Sequence, residues 1–342
     1  MRILANTLYV TQPNSYLSLD GENIVILVSD SESKRIPLHN LQSIVAFNYT
    51  GASPALMGEC AKRGIALMFL TEHGRFLARV VGKIHGNVLL RKNQYRASDD
   101  EAICVEISKN IISAKLFNSR TVVERAIRDY PLRLDVEKLK EASSSLANCI
   151  KKIQTATTLD EIRGIEGEGA NRYFSVFDDL ILQQKDEFYF INRNRRPPTD
   201  NINALLSFVY TLLTNDISSA LETVGLDPYV GFLHTDKPGR VSLSLDLIEE
   251  LRSILADRFV LTLVNTRQIN GNGFKKKEDG AVVMDDETRR TVLVAWQKKK
   301  QELTVHNLLK ENMKWGLIPY YQSLLLARYL RGDIDSYPPF FW

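Results

Sequence analysis

The feature that most constrains this chain is a change in the period of its apolar residues near Asn87. Before that point the apolar residues come in short, partly β-branched runs separated by turn residues. After it they recur every three to four residues along most of the remaining length. A period near two buries one face of a strand, and a period near 3.6 buries one face of a helix, so the two parts need different partners. The expectation is an α+β protein, with a small N-terminal β-rich domain over residues 1–86 followed by a larger all-α domain over 87–342. At 342 residues the chain is long enough for two cores.

In the first part, Tyr16-Leu17-Ser18-Leu19, the turn pair Asp20-Gly21 and the run from Ile24 to Val28 predict a hairpin. Further strands are expected at 41–47, 65–70 and 76–81, interrupted by one helix that starts at Ser53-Pro54 and stops at Gly64. In the second part, Ser98-Asp99-Asp100-Glu101 has the spacing of a capping box before a long helix reaching about Arg128. Helices follow at 136–153, 159–183 with a break near Gly164, 202–213, 242–263, 286–301 and 317–329. Asn270-Gly271-Asn272-Gly273 and the stretch from Lys275 to Met284 predict a small β-ribbon near 270–284. Its glycines lack the strand-before, helix-after setting of a phosphate loop.

Composition narrows the function classes only where charge and cysteine are concerned. Apolar residues at 44% and charged residues at 25% describe a soluble globular protein. No apolar run approaches the ~18 residues of a membrane span, and the opening residues lack a secretory pattern, so the expected compartment is the cytoplasm with no membrane partner. Cys60, Cys104 and Cys149 have no paired spacing and are expected to be buried thiols. A net charge of +3 permits nucleic-acid binding without requiring it. The basic clusters Arg193-Asn194-Arg195-Arg196, Lys275-Lys276-Lys277 and Lys298-Lys299-Lys300 fit either solvated faces or phosphate contacts.

Three segments concentrate the residues that carry chemistry. Residues 164–174 (GIEGEGANRYF) place Glu166 among three glycines on a helical stretch, where each glycine costs about 1 kcal/mol. Either another helix packs closely there or Glu166 must approach a metal or a nucleic-acid backbone. Residues 231–252 (GFLHTDKPGRVSLSLDLIEELR) carry His234 in a turn-rich loop, then Asp246, Glu249 and Glu250 on a helix. Asp246 and Glu249 share a face at i, i+3, and Asp246 and Glu250 share one at i, i+4. Two carboxylates and an imidazole suit Mn2+ or Mg2+, with water and phosphate completing the shell. Carboxylates on a helix are more often a solvated face or intrahelical partners, here of Arg252 and Arg258.

With residues 194–207 (NRRPPTDNINALLS), these two segments resemble, in order, the three hallmark blocks of the CRISPR spacer-acquisition integrase family. The resemblance extends to residues 6–10, 16–22, 49–58, 330–333 and 337–339, and these flanks look most like the type I-C branch. It implies an N-terminal β-domain used for dimerisation, a helical catalytic domain, and a homodimer that joins a small ferredoxin-like CRISPR-associated protein. It further implies a metal-dependent DNA endonuclease and integrase that inserts foreign DNA as new spacers. By motif position the family's metal ligands fall on Glu166, His234 and Glu249, with Asp246 a nearby acidic residue that some members need and Glu250 at a less critical position.

On that resemblance the metal, Mn2+ or Mg2+, holds a DNA phosphate while a 3′-hydroxyl attacks it in line, so no protein nucleophile is needed. The implied substrates are double-stranded DNA with 3′-hydroxyl ends and CRISPR repeat DNA. Activity is expected to fall in acid, because a ligating imidazole must be unprotonated. Candidates for DNA contact are Arg193, Arg195, Arg196, Lys237, Arg240 and Arg252. Arg195 and Arg196 serve alternatively as buried partners of carboxylates. A competing reading makes the chain a non-catalytic DNA-binding scaffold whose histidine and carboxylates are structural.

Overall fold

The computed structural model describes residues 6–29, 31–48, 50–72, 76–82 and 88–342, and it divides into two compact units. One comprises residues 1–85, 284–303 and 314–317; the other comprises 86–283, 304–313 and 318–342. The expected boundary at 86/87 lies outside the described residues.

The first unit opens with β1 (Thr7–Val10), β2 (Ser15–Asp20), β3 (Asn23–Val28), β4 (Ser31–Pro37), β5 (Ser43–Ala46) and β6 (Gly51–Ala52). α1 (Pro54–Arg63), β7 (Ala66–Leu70) and β8 (Phe76–Val80) complete its N-terminal portion. The strands form two four-stranded sheets, ordered β1-β5-β7-β8 and β4-β3-β2-β6. Leu17, Ile24, Ile44, Leu56 and Leu67, all without exposed surface, make its core with the Cys60 thiol. The predicted hairpin forms, but Asp20 pairs with Asn23, so the turn is Gly21-Glu22 with Gly21 at φ +56°. Glycine at the first turn position suits a type II′ turn, whose twist matches the strands. α1 runs as expected from the Ser53 cap to Gly64 in the left-handed region. The sequence reading missed β4, because Ser31 to Arg35 are exposed and show no apolar alternation.

The second unit begins with α2 (Val88–Ser98), α3 (Glu101–Asp129), α4 (Val136–Thr155), α5 (Leu159–Ser175) and α6 (Asn201–Val224). α7 (Ser242–Leu251) passes through a π-helical stretch, Arg252–Asp257, into α8 (Arg258–Asn265). The expected ribbon is β9 (Phe274–Lys276) paired with β10 (Val282–Met284). α9 (Asp286–Gln301), the hairpin β11 (Leu303–His306) and β12 (Glu311–Lys314), and α10 (Ile318–Arg331) end the chain. α9, counted with the helical part in the sequence reading, groups with the β unit. There Trp296 and Arg289 are buried, and the Lys300 ammonium donates to Thr7 Oγ1 at 3.1 Å, so Lys300 is no solvated face.

Several helix boundaries differ from expectation for identifiable reasons. Asp100 caps α3 by accepting from Ala102 and Ile103, which displaces Ser98 from that role. α5 runs unbroken through Gly164, started by a capping box between Thr158 and Glu161. α6 extends to Val224 and is long and apolar enough to cross a membrane. Leu205, Leu206, Val209, Ile217 and Leu221 have 0% exposure, the burial of a core helix. Cys104 and Cys149 are buried and free, as expected.

Candidate active site

Three helices of the second unit, α3, α5 and α7, pack together and bring their polar positions to one point. Gly169 makes the approach of α5 to α3 possible: a Cβ there would stand 2.2 Å from Leu116 Cδ2. Of the two readings of the glycines, Gly169 serves close packing, whereas Gly164 and Gly167 have nothing within 4 Å of a Cβ. Glu166, one residue before Gly167, is ion-paired with the Lys115 ammonium from α3. The same ammonium lies 2.6 Å from Glu249 Oε2 on α7. Two motif carboxylates from separate helices therefore converge on one buried cation, whose side chain is 8% exposed.

Glu249 has a second cation. Arg252 Nη2 lies 2.7 Å from Glu249 Oε1. Burial by itself pushes the Glu249 carboxyl up, but Arg252, Lys115 and His234 outweigh it and bring it down to about 2. Glu249 is thus ionised inside the protein. Its Oε2, although paired by charge with Lys115, receives no hydrogen bond of acceptable angle.

The histidine loop is built around Asp246, which has no exposed surface. Its carboxylate accepts from the backbone N–H of Phe232 at 2.7 Å, Leu233 at 3.1 Å and His234 at 3.0 Å, and lies 2.7 Å from His234 Nδ1. The loop can fold this tightly because residue 231 is glycine: a Cβ there would meet Asp246 Oδ2 at 2.8 Å and the Ser242 carbonyl carbon at 2.9 Å. With Nδ1 donating to the carboxylate, Nε2 is the ring nitrogen left as an acceptor. The Asp246 carboxylate is accordingly occupied by the loop that it holds. Arg163, one turn before Glu166 on α5, donates to the Leu233 carbonyl at 2.8 Å and ties this loop to the Glu166 helix.

Beneath the carboxylates the π-helical stretch places Arg252 and Asp257 on the same tyrosine. Tyr210 on α6 donates to Asp257 at 2.5 Å, and the Arg252 guanidinium stands 5.0 Å from the centre of its ring. Burial pushes the Asp257 carboxyl up to about 6 despite these partners. A π-turn widens the helix by one residue, and such turns recur where side chains must be re-aimed. The sequence reading took 242–263 as one regular helix, since a π-turn leaves the apolar pattern nearly unchanged.

The basic candidates separate into spent and free side chains. Arg193 is spent tying its loop to α6, donating to Asn203 at 2.6 Å and Ser207 at 3.1 Å with its guanidinium over the Tyr210 ring. Arg252 is paired with Glu249, as the intrahelical alternative anticipated. Arg195 and Arg196 are exposed and make no ion pair among the described residues, which corrects their reading as buried partners. Lys237 is exposed and Arg240 half-buried on the histidine loop. Glu250, adjacent to Glu249, faces elsewhere: it accepts from Gln322 and from the Phe340 N–H, each at 2.8 Å, and from the Tyr337 hydroxyl.

The sequence reading missed Lys115, Arg163 and Tyr210. Lys115 had a signal, a lysine inside the apolar run Ile111-Ile112-Ser113-Ala114-Lys115-Leu116-Phe117 near the middle of a long helix. Among the described residues no three of His, Cys, Asp and Glu stand together as a ready cage for a metal ion. The donors nonetheless fit a hard divalent cation in kind: two carboxylates converge on one positive centre, and one buried carboxylate oxygen lacks a hydrogen bond. His234 adds a ring nitrogen oriented by a carboxylate, the usual support of a metal-ligating histidine.

The chain is 51% identical over 337 residues to "CRISPR-associated endonuclease Cas1 1" of Chlorobaculum tepidum, covering 98% of each. Among solved structures it resembles a casposase bound to integration product, with a TM-score of 0.82 at 22% identity over 96% of this chain and 92% of that one. It also resembles a chain of a Cas6-RT-Cas1--Cas2 complex, with a TM-score of 0.83 at 21% identity over 98% of this chain and 36% of that one. Both structural likenesses are of fold. The family model described as CRISPR associated protein Cas1 matches residues 8–298, which is most of the sequence, and the chain belongs to the Cas1 family.

Proposed function

We propose that this protein is a metal-dependent DNA endonuclease and integrase that inserts foreign DNA fragments as new spacers into a CRISPR array. The observation that carries the reading is the convergence of Glu166 and Glu249 on one buried cationic point, beside a histidine whose ring is fixed by Asp246. Glu166, His234 and Glu249 are the residues that hold the ion, Mn2+ or Mg2+. Bound there, it supplies charge stabilisation at a phosphodiester and favours attack by a DNA 3′-hydroxyl or by water.

The chain's own residues do the positioning. Asp246 and Arg163 fix the loop that presents His234, and Arg252 holds Glu249 ionised and in place. Arg195, Arg196 and Lys237, exposed and unpaired among the described residues, take the DNA backbone, and Arg240 completes that surface. Arg193 serves the shape of the loop instead. The substrates are double-stranded DNA with 3′-hydroxyl ends and CRISPR repeat DNA, met in the cytoplasm. The working form is a homodimer, dimerising through the β unit, with a small ferredoxin-like CRISPR-associated partner. The likeness to a chain in a complex with Cas2 supports such a partner. The segments at 6–10, 16–22 and 49–58 support the type I-C branch.

One observation favours a second reading, a DNA-binding scaffold: Lys115 and Arg252 together already neutralise both carboxylates. Strand transfer separates the two. A short duplex with free 3′-hydroxyls is offered to a supercoiled plasmid carrying the cognate repeat, with the partner present, in Mn2+ or EDTA. Covalent joining that requires both Mn2+ and His234, tested with His234→Ala, establishes the integrase. Binding without joining, equal in wild type and variant, establishes the scaffold.

A further inference from the structure

We propose that Lys115 is the resident counter-cation of the Glu166 and Glu249 pair and competes with the divalent ion for it, so that the free protein binds metal weakly and DNA phosphate tightens that binding. The inference rests on the metal-dependent reading above and deepens it.

Glu166 and Glu249 bring two negative charges, and Lys115 and Arg252 bring two positive ones. These four groups balance one another, which spares the buried pairs a large desolvation cost. Adding a divalent ion with both cations in place leaves two positive charges that Glu166 and Glu249 do not compensate, in a region where Lys115 and Glu249 are at most 8% exposed. Like charges a few ångströms apart repel strongly where water is excluded. The metal must displace the Lys115 ammonium or bind poorly beside it.

Lys115 is the one of the two that can move. Its ammonium sits on a flexible four-carbon stem, whereas the Arg252 guanidinium is held between Glu249 and the Tyr210 ring. The contact to Glu249 Oε2 is also made at an angle outside a hydrogen bond, leaving that oxygen open to a better partner. A DNA phosphate entering with the metal restores negative charge and offers the displaced ammonium an anion. Metal and DNA then bind cooperatively, each raising the affinity for the other by the same factor.

The test measures Mn2+ binding to the full chain, by the electron paramagnetic resonance signal of free Mn2+, with and without a 3′-hydroxyl duplex. Lys115→Met and Lys115→Gln are compared with wild type and with Glu166→Gln. Without DNA, both Lys115 variants are expected to bind Mn2+ about tenfold tighter than wild type or better. DNA is expected to tighten binding to wild type and to have less effect on the variants. Metal-free Lys115→Met should melt below wild type, and Mn2+ should raise its melting temperature by more than it raises that of wild type. The Gln variant, which keeps a hydrogen-bond donor, carries the comparison where Met folds poorly.

If both Lys115 variants bind Mn2+ no tighter than wild type while Glu166→Gln loses it, the competition is overturned and the metal site stands. If wild type and the Lys115 variants all fail to bind Mn2+ with or without DNA, the metal-dependent reading falls, and this inference falls with it.

Discussion

Glu249 and Glu250 are neighbours on α7, chemically identical, and both buried, yet they sit in opposite electrical environments. Glu249 faces Lys115 and Arg252 and is brought down to about 2. Among the described residues Glu250 faces neutral donors, the Tyr337 hydroxyl, the Phe340 N–H and the Gln322 amide, and burial pushes it up to about 7. The first faces the candidate active site, and the second anchors the C-terminal segment against the helices. Consecutive residues on a helix point about 100° apart, so one acidic pair serves two different regions. What a carboxylate does is set by what the other helices bring to it.

Removing each charge in turn separates the two residues most strongly. Glu249→Gln is expected to lower metal-dependent strand transfer by roughly a thousandfold, the scale of losing one electrostatic group at a reacting centre. Glu250→Gln should act instead on stability, because Glu250 binds Gln322, the Tyr337 hydroxyl and the Phe340 N–H rather than the cations Lys115 and Arg252. Joining assays on both variants, each paired with a melting temperature, check this. Equal loss of joining at the two positions would erase the functional difference between them.

A pH titration of stability sharpens the contrast. The Glu250 carboxyl is raised from 4.5 to about 7 by burial, so the folded state holds its proton where the unfolded state has released it. Its contribution is full below pH 4.5 and is lost as pH rises through about 7, an effect of about 3 kcal/mol. Asp257, raised from 3.8 to about 6, acts in the same direction at lower pH. The readout is therefore the difference between wild type and Glu250→Gln in urea unfolding at pH 5 and pH 8. A pH dependence as steep in the variant as in wild type would remove Glu250 from the account.

The sequence made the period change, most helices and the three motif blocks legible because each is a local pattern. α1 was readable to its caps, since Ser53, Pro54 and Gly64 each act on their own backbone. β4 was not, because strand pairing holds a polar segment that has no alternation of its own. Glu166, His234 and Glu249 were readable as a group only through the resemblance. Nothing in the order of residues says that α3 brings Lys115 between the two glutamates, or that Arg163 reaches the carbonyl of Leu233. The different roles of Glu249 and Glu250 were hidden for the same reason, because long-range packing assigns them.

The last contrast to test lies in the glycines of the same motif blocks. Gly231 supports the charged side of α7: an added Cβ meets Asp246 Oδ2 and the Ser242 backbone below 3 Å, with rigid atoms on both sides. Gly231→Ala should therefore cost about 1–3 kcal/mol and displace His234, since the loop hangs on Asp246. Gly164 lies in mid-helix on α5 with open space around it, so Gly164→Ala should gain about 1 kcal/mol from helix propensity alone. Urea unfolding of the two variants at one pH gives opposite signs if the geometry is right. The Glu250-dependent difference between pH 5 and pH 8 should survive Gly231→Ala, because that substitution presses on Asp246 and leaves the contacts of Gln322 and Phe340 untouched. Loss of that difference would mean that the two sides of α7 are one mechanical unit and that the division between Glu249 and Glu250 is electrical only.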